Sequence, residues 1–118
     1  AFNQPTAILD GNVKRVLARL TALQLPPAKA TKQLWQLSET LLDPEQPRDF
    51  NQALMDLGAT ICTPQHPTCE KCPWISSCQA YNLGIQSNLP MREPTSPLPH
   101  KLIGVAVIWN DQGYILID

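Results

Sequence analysis

All four cysteines of this chain lie in one short stretch, CTPQHPTCEKCPWISSC, at positions 62–78. Six residues separate Cys62 from Cys69, two separate Cys69 from Cys72, and five separate Cys72 from Cys78. Four sulfur donors so close along a backbone can pair as disulfides or share a metal centre. The segment 62–78 must therefore fold around whatever its sulfurs bind.

Three interpretations of the cysteine loop remain open from spacing alone. Two disulfides are typical of short secreted chains, and nothing here resembles a secretory signal. A structural zinc ion takes four thiolates, but its sites usually contain two separated CxxC pairs, and this loop has one. A [4Fe–4S] cluster is larger and takes thiolates from four directions, which suits the spacers of this loop. Three prolines would stiffen such a loop: Pro64, Pro67 and Pro73.

Apolar periodicity predicts three helices before the loop. The first covers residues 10–23, with Asp10 as its N-cap. The second covers 29–43, and its predicted buried side is Leu34, Trp35, Leu37, Leu41 and Leu42. The third covers 48–62, and its predicted buried side is Phe50, Ala53, Leu54, Leu57 and Ile61. A short helical turn is expected within 74–82, so the chain is predicted to be mainly α.

The amino-acid composition of the sequence changes after residue 82. Residues 83–99 are rich in proline, which predicts an extended linker between domains. Residues 100–118 contain two apolar runs around Asn110-Asp111-Gln112-Gly113, which predicts a β-hairpin. Because one hairpin is marginally stable alone, it is expected to open a second domain. The sequence has no initiator Met and closes within a predicted strand, so we expect it to be part of a longer protein.

Composition excludes some classes of partner. The net charge of −1 gives no overall attraction to nucleic acid, so any DNA contact must be local. No apolar run reaches the length of about 18 residues that a transmembrane helix needs. A membrane partner is therefore not expected.

Four stretches resemble parts of the helix-hairpin-helix DNA glycosylases. The Cx6Cx2Cx5C loop after a helix resembles the iron–sulfur loop of that superfamily, which includes endonuclease III and the MutY-type adenine glycosylases. ILDGNVKRVLARL at 8–20 and FNQALMDLGATICT at 50–63 resemble the adenine-specific branch. PHKLIGVAVIWNDQGYILID at 99–118 resembles the opening hairpin of the Nudix-like α+β domain that follows in that branch.

The resemblance implies a site and a reaction. Asp10 matches the catalytic aspartate, and Asn12 matches a position near the sugar and the attacking water. Cys62, Cys69, Cys72 and Cys78 match the ligands of a [4Fe–4S] cluster. Lys14 and Lys71 are candidate contacts to DNA phosphates. The implied reaction is hydrolysis of the N-glycosidic bond of adenine paired with 8-oxoguanine or guanine in double-stranded DNA.

The resemblance also implies a division of the chain. Residues 1–82 would be the C-terminal part of the glycosylase domain, 83–99 a linker, and 100–118 the truncated start of the 8-oxoguanine-recognition domain. The general-acid glutamate and the DNA-gripping hairpin are expected to precede residue 1, so the chain alone should be inactive. The complete enzyme is expected to be a monomer and, in a prokaryote, cytoplasmic and associated with the nucleoid.

Two other functions are weighed against this one. An endonuclease III-like glycosylase of another base lesion would share the cysteine loop. That branch usually carries threonine and histidine or lysine after the aspartate, where this chain has Gly11 and Asn12. A zinc-stabilised DNA-binding module without catalysis is the third possibility, and iron and sulfide analysis would separate it from the glycosylases.

Overall fold

The computed structural model describes residues 4–94 and 96–116. Its helical part contains α1 (Gly11–Leu20), α2 (Thr31–Leu41), α3 (Pro47–Thr60) and α4 (Gln79–Leu83). Short 3₁₀ turns occupy Pro27–Lys29, Cys69–Lys71, Ile75–Ser77 and Gln86–Asn88. The predicted helices are thus confirmed, and the helical turn predicted within 74–82 becomes a 3₁₀ turn followed by α4.

The first three helices share one apolar core. Its fully buried members come from α1, α2 and α3 and are Val13, Val16, Leu17, Leu34, Leu54 and Leu57. Burying each such side chain contributes about 1.5–3 kcal/mol relative to leaving it exposed. α1 lies at the centre of this arrangement, since it contacts α2, α3 and α4. α1, whose N-cap is Asp10, is therefore held by packing against three other helices.

α1 ends three residues earlier than its apolar spacing predicts. Ala22 adopts a left-handed conformation with φ of 50°, which stops the helix. The N–H of Leu23 donates to the carbonyl of Ala18 at 2.8 Å, and that of Ala22 donates to Arg19 at 3.1 Å. This pair of bonds is the Schellman pattern, in which glycine usually takes the left-handed position. An alanine there gives no sequence signal for the helix end.

The buried face of α2 differs from the prediction in two positions. Trp35 was predicted on the buried side and is 40% exposed. Ser38 is buried instead, and its hydroxyl donates to the carbonyl of Ile8 at 2.7 Å. Leu34 and Ser38 lie four residues apart and share one face of a helix, whereas Trp35 is turned about 100° away. Ala53, predicted on the buried side of α3, is also exposed.

The segment predicted as a linker begins with ordered structure. Gly84, with φ of 72°, caps α4, and the N–H of Ile85 donates to the carbonyl of Ala80 at 2.9 Å. The 3₁₀ turn Gln86–Asn88 follows, and Leu89 is only 4% exposed. Residues 91–94 and 96–100 have no regular secondary structure and are exposed. The extended conformation predicted for 83–99 is therefore wrong for its first part.

The predicted hairpin turn is present near the C-terminus. Gly113 has φ of 83°, and its N–H donates to the carbonyl of Asn110 at 3.0 Å. Trp109 and Ile115 form an antiparallel bridge, and Leu116 N–H donates to Ile108 at 2.9 Å. The side chains on both sides of this turn are exposed in the described residues. Packing within the described chain does not account for this hairpin.

Candidate functional site

Asp10 occupies the N-cap of α1, as predicted. Its backbone is extended, and its Oδ1 accepts a hydrogen bond from the N–H of Val13 at 2.8 Å. The free N–H groups and the positive end of the helix favour a negative charge at this position. The carboxylate remains exposed, so it can serve as a cap and also face a ligand. Its catalytic role stays a prediction.

Asn12 is connected to the cysteine loop through Arg15. One guanidinium nitrogen of Arg15 donates to Oδ1 of Asn12 at 3.0 Å and also to the carbonyl of Gly58. The Arg15 Nε donates to the carbonyl of Cys62 at 2.8 Å. Burial lowers the pKa of Arg15, while Cys62 and Asp10 oppose that shift. One side chain thus joins the predicted catalytic turn, α3 and the start of the loop.

Gly58 brings α3 close to the first turn of α1, which carries the predicted catalytic residues. A Cβ placed on Gly58 would lie 3.0 Å from Cβ of Asn12 and 3.3 Å from its backbone oxygen. Real Cβ contacts are rarely so short, so the neighbouring turn must move by a few tenths of an ångström if a side chain is added. Close approach therefore favours glycine here, whereas the helix conformation itself does not call for it.

Replacing Gly58 should weaken the fold and displace Asn12. We expect Gly58→Ala to lower the free energy of unfolding by about 1–3 kcal/mol, the usual cost of overpacking. Thermal unfolding of the complete, metal-loaded protein measures this. Gly11→Ala is the matched control, since nothing lies within 4 Å of its added Cβ. Equal unfolding midpoints for the two variants would contradict the close-approach argument.

The four cysteines line one cavity between the loop and α1. None of them is disulfide-bonded. The other residues around this cavity are both apolar and polar, and the full lining is Arg19, Ile61, Cys62, Cys69, Cys72, Ile75, Cys78, Tyr81 and Gln86. The loop thus closes on itself and directs its sulfur donors to a common space.

The chemistry of these thiols fits a cationic centre. Burial raises the pKa of Cys69, and the neighbouring Cys62, Cys78 and Cys72 raise it further. Burial also raises the pKa of Cys72, partly offset by the N–H of Trp74, which donates to its Sγ at 3.4 Å. Four thiolates in one partly buried space repel one another unless a positive charge compensates. A metal centre supplies that charge.

Zinc and a cubane cluster make different demands on four sulfurs. Zinc requires its sulfurs at about 2.3 Å from one point, whereas a cubane cluster takes its ligands at four separate irons. In residues 4–94 and 96–116, no three His, Cys, Asp or Glu side chains form a group that could hold one metal ion. The identity of the centre therefore stays a prediction.

One atom of the cavity wall lacks a partner. Gln86 Oε1 is buried and accepts no hydrogen bond from the part of the chain that the structure describes. Leaving such an atom unsatisfied costs about 1–3 kcal/mol. Gln86 is thus consistent with a bound group in the cavity.

Arg19 is the residue of this site that sequence reasoning missed. Its side chain is 2% exposed, and it donates to Cys62 Sγ, to carbonyls of the loop and to the carbonyl of Leu89. The available signal was its position four residues after Arg15, on the helix preceding four cysteines. Two arginines one turn apart share a helix face, and here that face meets the loop.

Two predicted contacts to DNA remain, Lys71 in the cysteine loop and Lys14 on α1. Lys71 ends the 3₁₀ turn Cys69–Lys71 and is exposed, while Lys14 is half-buried on α1. Their contacts to DNA stay predictions.

Trp74 packs its ring against Phe50 of α3, with centroids 6.4 Å apart, so it joins the loop to the helical core. In the described residues, no helix has the length and apolar character needed to cross a membrane.

Comparison with known proteins gives close relatives over most of the chain. The chain is 52% identical over 82 residues to the adenine DNA glycosylase of Homo sapiens. The match covers 68% of this chain and 15% of that protein. The chain is also 52% identical over 83 residues to the adenine DNA glycosylase of Schizosaccharomyces pombe. The match covers 69% of this chain and 18% of the relative. The chain is 48% identical over 85 residues to the adenine DNA glycosylase of Arabidopsis thaliana. The match covers 70% of this chain and 14% of the relative. A contiguous match of this length in the chain necessarily includes all four cysteines.

A solved structure agrees in fold. The structure of a thermostable thymine-DNA glycosylase matches 70% of this chain and 39% of its own, with a TM-score of 0.61 and 40% identity. No protein-family model matches the chain. The chain spans only 15% of the length of its human relative, so the comparisons describe one segment of such proteins.

Proposed function

We propose that this chain, a homologue of the adenine DNA glycosylases over 82 residues, belongs to a base-excision-repair enzyme that removes adenine paired with 8-oxoguanine or guanine. The supporting observation from the structure is that one helix, α1, carries Asp10 and Asn12 at its first turn and joins them to the cysteine loop through Arg15. The Asp10 carboxylate thus lies at the start of a helix that is packed against the rest of the domain.

The proposed reaction breaks an N-glycosidic bond. Positive charge develops on the deoxyribose as the base departs, and a nearby carboxylate stabilises such a transition state. We assign this role to Asp10, whose Oδ1 is held by the N–H of Val13. That bond fixes the orientation of the carboxylate at the start of α1. Protonation of the departing adenine is assigned to a residue elsewhere in the complete protein.

Asn12 is proposed to orient the attacking water. Its Oδ1 accepts from Arg15, so the side-chain amide is fixed and its NH₂ group is available to a neighbour. Arg15 is itself held by the carbonyls of Gly58 and Cys62. The position of Asn12 therefore depends on how the cysteine loop is folded.

The four cysteines are proposed to hold a [4Fe–4S] cluster. Cys62, Cys69, Cys72 and Cys78 would be its ligands, and Arg19 and Gln86 would lie beside it. When bound, the cluster supplies bonds that fix the loop, and hydrolysis of the base needs no electron transfer. Lys71 on the exposed side of this loop, and Lys14 on α1, are proposed to contact phosphates of double-stranded DNA.

The C-terminal hairpin is proposed to open a Nudix-like domain that recognises 8-oxoguanine. Residues 100–116 carry many exposed apolar side chains around the Asn110–Gly113 turn. Exposed apolar surface of that extent requires cover by further structure. The glycosylase segment would then comprise residues 1–82.

A second candidate is a glycosylase that acts on another base. The solved structure that matches in fold is a thymine-DNA glycosylase at 40% identity, so fold alone does not select the base. The higher identity to adenine glycosylases, and Gly11 and Asn12 after the aspartate, favour adenine.

Base release from defined duplexes tests the proposal. The complete protein, purified without oxygen, is incubated with duplexes containing adenine opposite 8-oxoguanine, adenine opposite guanine, thymine opposite guanine, or thymine glycol. We expect adenine to be released from the first two duplexes and no thymine from the others. Release of thymine or thymine glycol without adenine would support the second candidate. Binding without release from any duplex, together with zinc in place of iron, would indicate a DNA-binding module.

A further inference from the structure

Arg19 makes four contacts around the first cysteine of the loop. Its NH1 lies 3.4 Å from Cys62 Sγ and 2.6 Å from the carbonyl oxygen of Thr63. Its NH2 donates to the carbonyl of Pro64 at 3.0 Å, and its Nε donates to that of Leu89 at 2.9 Å. The guanidinium therefore fixes both the sulfur and the backbone that carries it.

The environment makes the sulfur contact electrically important. Arg19 is 2% exposed, so water screens its charge little. The Sγ of Cys78 also lies 3.5 Å from the carbonyl of Arg19, so both ends of the cysteine loop meet this residue. Arg15 contacts Cys62 through its carbonyl oxygen, whereas Arg19 contacts the Cys62 sulfur.

We propose that Arg19 is a positioning residue of the four-cysteine site and that it raises the reduction potential of the cluster bound there. This inference rests on the proposed [4Fe–4S] site. Hydrogen bonds and positive charge at ligand sulfurs stabilise the cluster state with more electrons. A buried cation that donates to Cys62 Sγ therefore favours the reduced state over the oxidised one.

The redox change involved is a one-electron exchange with an electrode. Oxidation removes one electron from the cluster, and reduction returns it. The proposed exchange moves one electron and involves no proton transfer. Its effect is a difference in electrostatic stabilisation between the two states.

Measuring the potential of three variants tests this inference. The complete protein is purified without oxygen, its iron and sulfide are measured, and its potential is determined in the absence of DNA. At the wild-type midpoint, we expect Arg19→Gln to shift the ratio of oxidised to reduced cluster about tenfold toward oxidised, which is about 59 mV for one electron. Arg19→Lys keeps the positive charge but has fewer hydrogen-bond donors. Its reduction potential should lie between those of the wild type and Arg19→Gln.

Arg92→Gln is the matched control, because it removes one positive charge from an exposed position. It should leave the potential unchanged. Full iron in every variant with equal potentials for Arg19→Gln and wild type would overturn the inference. Loss of iron from both Arg19 variants would also overturn it, in favour of a purely structural role. Absence of iron from the wild-type protein would instead refute the proposed cofactor.

Discussion

Asp10→Asn should reduce adenine release by roughly a thousandfold or more, the scale seen when one group that stabilises transition-state charge is removed. The substitution removes the negative charge that we propose stabilises the cationic sugar. Single-turnover kinetics of the complete protein on a duplex with adenine opposite 8-oxoguanine measure the loss. Binding to the same duplex should persist, because phosphate contacts supply most of the affinity of such proteins.

This variant separates catalysis from helix capping. Asn and Asp cap helices about equally well, so the amide can still accept from Val13 N–H at the site where Asp10 Oδ1 now lies at 2.8 Å. Thermal unfolding should therefore be nearly unchanged in Asp10→Asn, whereas Asp10→Ala should lose about 1 kcal/mol of stability. A stable Asp10→Asn variant with normal turnover would show that Asp10 is only a cap.

Cys69→Ala should abolish the metal centre of the complete protein. The four thiols share one cavity, so losing one leaves the others unable to complete the coordination. Because metal binding and folding of such loops are coupled, residues 62–78 should lose their fixed conformation. Iron and sulfide analysis should fall from about four of each per chain to near zero. Limited proteolysis should show new cleavage within the loop.

Ser76→Ala is the control for this experiment, since Ser76 is exposed in the same loop. It should retain iron, sulfide and protease resistance. Unchanged iron in Cys69→Ala would remove that cysteine from the ligand set. One zinc per chain in the wild-type protein, with no sulfide, would replace the cluster by a single-ion site. The α1–α3 core should remain folded in each variant, because none of its buried residues lies in the loop.

Periodicity was sufficient to predict the helices because their packing follows a simple apolar stripe. Val13, Val16 and Leu17 are buried as their spacing predicts. Exact ends were harder, since the left-handed residue that stops α1 is Ala22 and carries no glycine signal. Trp35 shows a second limit, because a large apolar residue at the edge of a stripe can face solvent while Ser38 is buried by a hydrogen bond.

The site was predictable where it depends on residue type and spacing. The four cysteines line a common cavity, and Asp10 caps α1, both as the sequence indicates. The roles of Arg19 and Gly58 were not predictable, because each depends on contacts between residues far apart in sequence. Arg19 meets Leu89 across a separation of 70 residues. No local pattern in one sequence records such a contact.

The buried contact between Arg19 and Leu89 has a consequence for how two domains would work together. If the chain from residue 100 opens a second domain, its tether is anchored at residue 89 and is free only from about residue 90. A shorter tether confines the attached domain to a smaller volume, which raises its effective concentration near the other binding site. Both parts would then engage one stretch of DNA more readily than the full proline-rich segment would allow.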